Sequence, residues 1–240
     1  MVEGGLVGVA ELGTILGVWA HPDDEAYLSG GLMAMATDAG SRVVCVTATR
    51  GELGTSDPQR WPPDLLAEQR TAELTRCLAI LGVTEHRWLG YPDGSCAAVP
   101  EAAAEARLCE LIEDVRPDTV VTFGPHGQTG HPDHQAVSRW TVGAFRRAAR
   151  PGARLLCTAI PEWWAVRWRE TNDRLSIFEA GYPVTVPDEE LSLHLVLDGP
   201  IVARKVGALA AQETQTAALM ELMGADAYAA WVSHESFVDG

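Results

Sequence analysis

Short runs of apolar and β-branched residues alternate along the chain with longer segments whose apolar residues recur every three to four positions. The five apolar runs lie at 14–20, 42–48, 86–90, 118–123 and 153–160. The longer segments between them lie at 29–39, 64–82, 100–115 and 132–150. Strands connected by helices have this pattern. We therefore expect an α/β fold of the Rossmann-like, doubly wound class, with a mainly parallel sheet flanked by helices in three αβα layers.

The chain beyond residue 160 is less regular. The segment 161–168, PEWWAVRW, is aromatic and mixed, whereas 191–197, LSLHLVL, alternates as an edge strand does. Residues 200–223 predict a final helix. Because the sequence contains no repeat, low-complexity tract or linker, we expect a single domain over residues 1–240.

The charge balance excludes several kinds of partner. The 240 residues include 18 Lys and Arg against 33 Asp and Glu, a formal net charge of −15. Such a chain lacks the cationic surface that nucleic acids and anionic membranes attract, so we expect neither as a partner. No run resembles a signal peptide or a membrane span, and the five cysteines show no CxxC spacing. These features predict a soluble, cytoplasmic protein with free thiols.

Polar clusters follow two of the predicted strands. The run Ala20-His-Pro-Asp-Asp-Glu25 comes directly after the first strand, and His131-Pro-Asp-His134 follows the fourth. In the usual strand order 3-2-1-4-5, strands one and four are neighbours at the point where such sheets bind ligands. We therefore expect the two clusters to face one another. A GxGxxG motif is absent, which argues against a dinucleotide site.

Imidazoles and a carboxylate that converge from two elements can form a metal site with an open position. Three such ligands are typical of catalytic zinc, although this donor set also accepts Fe²⁺ or another divalent ion. Simpler interpretations exist for each residue taken alone. A histidine after a strand is often a hydrogen-bonded loop residue, and Asp23 or Asp24 could cap the following helix.

The two clusters resemble the signature motifs of a known family. AHPDDE at 20–25 and GHPDH at 130–134 are similar to the motifs of the PIG-L/LmbE-like zinc-dependent N-acetylglucosaminyl deacetylases. The similarity extends over about residues 14–216. It includes Thr49-Arg-Gly-Glu52, Arg70 with Glu73, the segment 81–83, and Lys205 with Gln215.

The resemblance implies roles for individual residues. His21, Asp24 and His134 would bind zinc, and Asp23 would be the general base beside the metal-bound water. His131 would stabilise the oxyanion. Either Asp23 or His131 would protonate the departing amine.

Other residues would support the site. Asp133 would orient a histidine or cap the helix, and Arg50 and Glu52 would brace the loop over the pocket. Arg70 and Asp93 would contact the sugar or its substituent. The alternative for Arg70 is a surface position paired with Glu73.

The implied activity is removal of an N-acyl group, most often N-acetyl, from an amino sugar or glycoconjugate by metal-activated water. A thiol-sugar conjugate amidase of the mycothiol S-conjugate type and a non-catalytic metal-binding module are the alternatives. The partner would be a small N-acylated amino sugar, and a homo-oligomer is possible. Two positions depart from the family's pattern, since Thr129 replaces a tyrosine and Gln212 a histidine. The aromatic residues Trp163, Trp164 and Trp168 could stack on a sugar or belong to the core or an oligomer contact.

Overall fold

The computed structural model describes residues 6–240, and side chains from residue 8 onward. Its centre is a seven-stranded sheet of order β3-β2-β1-β4-β5-β7-β6. The strands are β1 (Ile15–Trp19), β2 (Val43–Thr47), β3 (Glu85–Trp88), β4 (Thr119–Phe123), β5 (Arg154–Thr158), β6 (Leu193–Val196) and β7 (His234–Asp239). The first five are parallel, and β7 is antiparallel to both of its neighbours. The predicted order of the first five strands is confirmed.

Helices cover both faces of this sheet. They are α1 (Leu6–Ala10), α2 (Asp24–Asp38), α3 (Pro63–Leu81), α4 (Glu101–Val115), α5 (Gly127–Gly130), α6 (Pro132–Ala148), α7 (Glu162–Leu175), α8 (Gly199–Ala210), α9 (Glu213–Met223) and α10 (Ala225–Trp231). Helices α2, α3 and α8 pack together, and α4 packs against α6. The three-layer α/β class predicted from the sequence is therefore confirmed.

The central strand β1 carries the first polar cluster to the edge of the sheet. Gly17 in β1 pairs with Cys45 of β2 on one side and with Val121 of β4 on the other. All five residues of β1 are buried, as are those of β2 and β4. Strands buried on both faces are continuous apolar runs, which explains why the sequence located them correctly.

Several elements differ from the sequence prediction. Helix α2 begins at Asp24 rather than at residue 29, and its backbone leaves helical geometry at Ser29. The predicted helix over 200–223 is two helices, α8 and α9, which break at Gln212. Helices α1, α5, α7 and α10 and the strand β7 were not predicted. The segment 191–197 does contain an edge strand, β6.

A buried ion pair joins the kink in α2 to β7. The Glu235 carboxylate accepts the backbone N–H groups of Gly31 at 2.7 Å and Leu32 at 2.8 Å. It also accepts from the Lys205 ammonium at 2.6 Å, and both side chains are fully buried. Helical N–H groups that lose their partners at a break need another acceptor. Glu235 supplies it.

Other predictions concern the chain as a whole. Cys45, Cys77, Cys96 and Cys157 are buried free thiols, and Cys109 is half-buried. Over residues 6–240, none of the helices has the length and apolar character that crossing a bilayer requires. The single domain over 1–240 and the absence of a signal peptide stay predictions, and residues 1–5 lie outside the described part.

Candidate active site

A cavity of about 620 Å³ opens at the carboxyl ends of β1 and β4. His21 lies two residues beyond β1, and Asp24 begins α2. His134 lies in the first turn of α6, which follows β4. All three side chains line the cavity. The structure thus brings the two polar clusters of the sequence together, because neighbouring parallel strands end at the same edge of the sheet.

The donor atoms of these three residues converge. His21 Nδ1 lies 3.1 Å from His134 Nε2 and 3.6 Å from Asp24 Oδ2. His134 Nε2 lies 3.3 Å from Asp24 Oδ1. The ligands of a tetrahedral zinc ion, each 2.0–2.1 Å from the metal, are about 3.3 Å apart. Asp24 faces His21 with Oδ2 and His134 with Oδ1, so the spacing fits a zinc ion held by the two histidines and the Asp24 carboxylate.

The remaining ring nitrogens of both histidines have fixed partners. His134 Nδ1 lies 3.0 Å from the carbonyl oxygen of Gly127, which can only accept a hydrogen bond. His21 Nε2 lies 3.1 Å from Asp93 Oδ1 and 3.3 Å from Asp133 Oδ2. Metal-binding histidines commonly donate their second N–H to a carboxylate or a carbonyl. These contacts therefore direct His21 Nδ1 and His134 Nε2 towards the cluster.

Two other groups of side chains also lie close enough to hold a metal ion. His131 joins His21 and His134 in one, and Asp93 and Asp133 join His21 in the other. The Asp133 carboxylate, however, accepts backbone N–H groups from residues 94 and 96 at 2.8 and 3.0 Å. Its contacts are those of a residue that orients His21 and holds the 94–96 loop.

Charges in the cluster favour a cation. Although burial lowers it, hydrogen bonds to Asp133, Asp24 and Asp93 hold the pKa of His21 well above its usual range. Burial raises the pKa of Asp24, but the neighbouring His134 and His21 lower it to about 2. Burial lowers the pKa of His134 to about 4. The ionised Asp24 carboxylate and the neutral His134 imidazole are in the protonation states that a metal ion needs, whereas His21 must release its proton to bind one.

Asp23 has a backbone conformation that residues other than glycine rarely adopt. Its φ is 108°, and its backbone N–H donates to Glu25 Oε2 at 3.0 Å. Its carboxylate lies 3.2 Å from Arg70 Nη2 and lines the cavity, and it makes no capping hydrogen bond to α2. Burial raises the pKa of Asp23 to about 7, although the Arg70 charge acts in the opposite direction. Strained backbone and a carboxyl pKa near neutrality are both typical of functional positions.

Glu25 connects Asp23 to a distant part of the chain. Its Oε1 accepts from Gln212 Nε2 at 2.6 Å and lies 3.5 Å from the Cys77 thiol. Glu25 and Gln212 are fully buried, and burial with the nearby Asp23 charge raises the pKa of Glu25 to about 8. Glu25 lies in the predicted motif, but its role there was not predicted. Its partner Gln212 is one of the two residues, with Thr129, that depart from the family's pattern.

His131 caps the helix that carries His134. Its Nδ1 accepts the backbone N–H of Asp133 at 3.2 Å. Burial lowers the pKa of His131 below its usual range. A neutral imidazole that accepts at Nδ1 carries its proton on Nε2. His131, which lines the cavity, can therefore donate a hydrogen bond.

Arg70 is buried, not a surface residue. Its guanidinium donates to the carbonyl oxygen of Gly51 at 2.7 Å and to that of Pro22. Glu73, the surface partner considered for it, instead accepts from Thr214 at 2.6 Å. Arg70 thus ties the loop after β2 to the loop that holds Asp23, and it also lines the cavity.

The other supporting residues have different surroundings. Glu52 Oε1 accepts the backbone N–H of Asp93 at 2.9 Å, so it joins two loops at the rim. Arg50 is exposed, donates to Thr71 at 2.7 Å and stacks on Trp88. Arg50 is not among the residues that line the cavity.

Much of the remaining lining of the cavity comes from the irregular part of the chain. It includes residues 159–161, Trp164, 177–178, Leu219, 231–232 and 234–236. Of the three tryptophans singled out in the sequence, only Trp164 lines the cavity. These lining residues come from several distant segments and form no motif, so apart from Trp164 the sequence did not mark them.

The sequence of this chain matches that of known proteins. The family model for GlcNAc-PI de-N-acetylase (PIG-L) matches residues 16–145. A protein of Kineococcus radiotolerans named 1D-myo-inositol 2-acetamido-2-deoxy-alpha-D-glucopyranoside deacetylase is 39% identical over 250 residues, covering 84% of this chain and 68% of that protein. A protein of the same name from Thermomonospora curvata is 35% identical, covering 86% of this chain and 82% of that protein.

A solved structure has the same fold. The N,N'-diacetylchitobiose deacetylase of Pyrococcus horikoshii superposes with a TM-score of 0.66, over 95% of this chain and 83% of that one. The two sequences are 20% identical, so this likeness concerns the fold alone.

Proposed function

Because this chain belongs to the GlcNAc-PI de-N-acetylase (PIG-L) family, we propose that it is a zinc-dependent hydrolase that removes an N-acyl group, above all N-acetyl, from an amino sugar or glycoconjugate. The observation that carries the proposal is the convergence of His21, Asp24 and His134 donor atoms beside Asp23 in an open cavity. Three protein ligands and an accessible fourth position are characteristic of catalytic zinc.

In this proposal His21, Asp24 and His134 hold the ion. Zinc, when bound, polarises a carbonyl and lowers the pKa of a coordinated water to about 7. Asp93 and Asp133 keep His21 Nδ1 directed at the site, and the Gly127 carbonyl does the same for His134 Nε2. Fixed ligands of this kind reduce the reorganisation that the reaction requires.

Asp23 and His131 move the protons. Asp23 takes a proton from the attacking water, because its carboxylate faces the cavity beside the ligands. His131 donates its Nε2–H to the carbonyl oxygen of the amide as that oxygen gains negative charge. The C–N bond then breaks, and the departing amine receives a proton from Asp23 or from His131. The products are a carboxylic acid and a free amine.

Arg70 and Asp93 stay the predicted contacts to the sugar, and both side chains line the cavity. Both also hold protein groups in place, since Arg70 contacts Asp23 and Asp93 contacts His21. The cytoplasmic location and assembly as a homo-oligomer stay predictions from the sequence.

Two substitutions separate metal binding from catalysis. We expect Asp23→Asn to keep one zinc ion per chain while kcat on an N-acetylated amino sugar falls by about 10²–10⁴-fold, because the base is lost. We expect His134→Ala to lose the zinc. Elemental analysis and initial rates measure both.

The controls are Asp114→Asn and His126→Ala, since both residues are exposed and lie outside the cavity. Both should behave as the wild type does. Full activity of zinc-loaded Asp23→Asn protein would exclude Asp23 as the base. If the zinc-loaded wild type hydrolysed no acylated amine in a broad panel, the non-catalytic module would be the better description.

A further inference from the structure

Two chemically different groups of side chains line the cavity. One group is polar and comprises the metal donors together with Asp23, Arg70 and Asp93. The other group forms a wall of mostly carbon atoms, from Ile160, Trp164, Ile177, Phe178, Leu219 and Val232. These residues come from four separate segments, namely the end of β5, α7 with the turn after it, α9 and the turn after α10. The cavity, about 620 Å³ in volume, continues from the metal donors to this wall without a break.

Most polar groups on that wall already have protein partners, and one nitrogen of His234, Nδ1, lies 3.2 Å from His194 Nε2. The Glu235 carboxylate is shared between Lys205 and two backbone N–H groups of α2. Thr158 Oγ1 donates to Gln128 Oε1 at 3.0 Å. Ser236 Oγ lies 3.0 Å from His194 Nδ1. These groups therefore offer a ligand few free hydrogen-bonding positions.

Tyr27 and Gln215, which also line the cavity, each have one hydrogen bond to the protein that uses part of their polar groups. Tyr27 Oη accepts from Tyr228 Oη at 3.0 Å. Gln215 Nε2 donates to the carbonyl oxygen of Gly54 at 3.1 Å. A polyhydroxylated group placed against this wall would lose hydrogen bonds to water without replacing them, which costs binding energy. An apolar group placed there would gain from its removal from water.

We infer that the substrate carries an apolar group, aromatic or aliphatic, on its amino sugar, and that this group packs against the wall formed by Ile160, Trp164, Ile177, Phe178, Leu219 and Val232. The inference rests on the proposed function, because it takes the amide to lie at the metal donors. The relatives described above are named for a substrate that joins the amino sugar to inositol, a polyol.

The apolar group can be attached at either of two places. It is the acyl chain itself if a longer acid is released, or the aglycone if acetate is released. The reaction is the same in both cases. Water supplies OH to the acyl carbon and H to the nitrogen, and the amide C–N bond breaks.

Two substrate series assayed with the zinc-loaded protein test the inference. One keeps N-acetylglucosamine and changes the aglycone from methyl to butyl to phenyl, with inositol as the polar counterpart. The other keeps glucosamine and lengthens the acyl chain from acetyl to butanoyl to hexanoyl. We expect kcat/KM to rise in one series by up to about fourfold for each methylene buried. The series in which kcat/KM rises shows whether the apolar group is the aglycone or the acyl chain.

A pair of leucines on one helix gives a matched control. Leu219 and Leu222 both lie in α9, but Leu219 lines the cavity whereas Leu222 is 66% exposed and does not. The quantity compared is the apolar preference, defined as kcat/KM for the most apolar substrate of a series divided by kcat/KM for the methyl glycoside or the N-acetyl substrate of that series. We expect Leu219→Gln to lower this ratio by about tenfold. Leu222→Gln should leave the ratio unchanged. Ile177→Gln is a second variant, from another segment of the wall.

The outcomes separate the inference from the function on which it rests. If no N-acyl glucosamine is hydrolysed, the proposed function fails. If substrates are hydrolysed but kcat/KM is flat in both series, or the inositol glycoside is the best of them, the function stands and the inference is overturned. Equal effects of Leu219→Gln and Leu222→Gln on the ratio would also overturn it.

Discussion

Asp23 keeps its unusual backbone conformation through contacts with two side chains, those of Glu25 and Arg70. Glu25 accepts its backbone N–H, and Arg70 holds its carboxylate as well as the carbonyl oxygen of the preceding residue. A residue other than glycine at positive φ costs on the order of 1–3 kcal/mol and persists only where its surroundings enforce it. The reactive carboxylate is thus placed by its neighbours, not by its own preference.

Replacement of Arg70 by lysine tests this placement. Lysine keeps the charge but has no planar fork, so it cannot contact Gly51, Pro22 and Asp23 together. We expect Arg70→Lys to lower kcat by about tenfold or more, since one hydrogen bond to a charged group contributes about 1.5–3 kcal/mol. Steady-state kinetics measure it. A raised KM with unchanged kcat would instead indicate that Arg70 acts mainly on the sugar.

The sequence allowed prediction of the residues that lie within short motifs. His21, Asp23 and Asp24 are nearly consecutive, as are His131 and His134, so strand order alone brought the two groups together. The contact between Glu25 and Gln212 spans 187 positions and joins two side chains with no shared motif. The outward direction of Arg50 depends on its stacking against Trp88, which only the folded chain shows.

Among the elements, α2 shows most clearly how a helix depends on a distant strand. Its backbone breaks at Ser29, and the N–H groups freed by that break are accepted by Glu235 of β7. Lys205 of α8 neutralises the carboxylate and also donates to the Tyr27 carbonyl oxygen at 2.8 Å. The start of α2, which carries Asp24, is therefore held in place by β7 and α8.

A double-mutant cycle on Glu235 and Lys205 measures this dependence. Removal of one partner leaves a buried charge unpaired, so Glu235→Gln and Lys205→Met should each lower the free energy of unfolding by about 3–5 kcal/mol. The double variant should lose less than the sum of the two, because no charge is then left unpaired. Urea unfolding at pH 7 gives the three values. Strict additivity would show that the pair is not coupled.

Helices and strands were predicted correctly where their residues are buried in a continuous run or stripe. They were missed where buried residues are few or polar. In α7 only Asn172 is fully buried, so its sequence shows no apolar stripe that predicts a helix. Strand β7 contains the buried polar residues Glu235 and Ser236, which interrupt the alternation expected of a strand. The early start of α2 was missed because the helix begins with the acidic residues Asp24 and Glu25 of the site.

The stability of the whole molecule depends on histidines that are neutral when folded. His86 in β3 lies 2.9 Å from Thr47 Oγ1 in the neighbouring strand. Burial, with the charges of Arg87 and Arg50, lowers the pKa of His86 to about 4. Below pH 6.5 the unfolded chain binds a proton at His86, whereas the folded chain does not until the pH approaches 4. The free energy of unfolding that His86 contributes is therefore lost as the pH falls from 6.5 towards 4.

Replacement of His86 by glutamine should reduce this loss. Between pH 7 and pH 4.5 we expect the free energy of unfolding of the wild type to fall by about 1–3 kcal/mol more than that of His86→Gln. Urea unfolding across this pH range measures the difference. The same substitution at the exposed His126 should follow the wild type. Parallel curves for the wild type and His86→Gln would contradict the assignment.

Because β7 lies between β5 and β6, neither of these strands can complete its pairing until β7 has been synthesised. β6 leaves the ribosome before β7, yet within the described residues β7 is the strand with which β6 pairs. The edge of β5 that faces away from β4 also pairs with β7. Both edges therefore keep unpaired N–H and C=O groups until residues 234–239 have been translated. During that interval the nascent chain can pair with another molecule, and the arrival of β7 ends the competition between aggregation and folding.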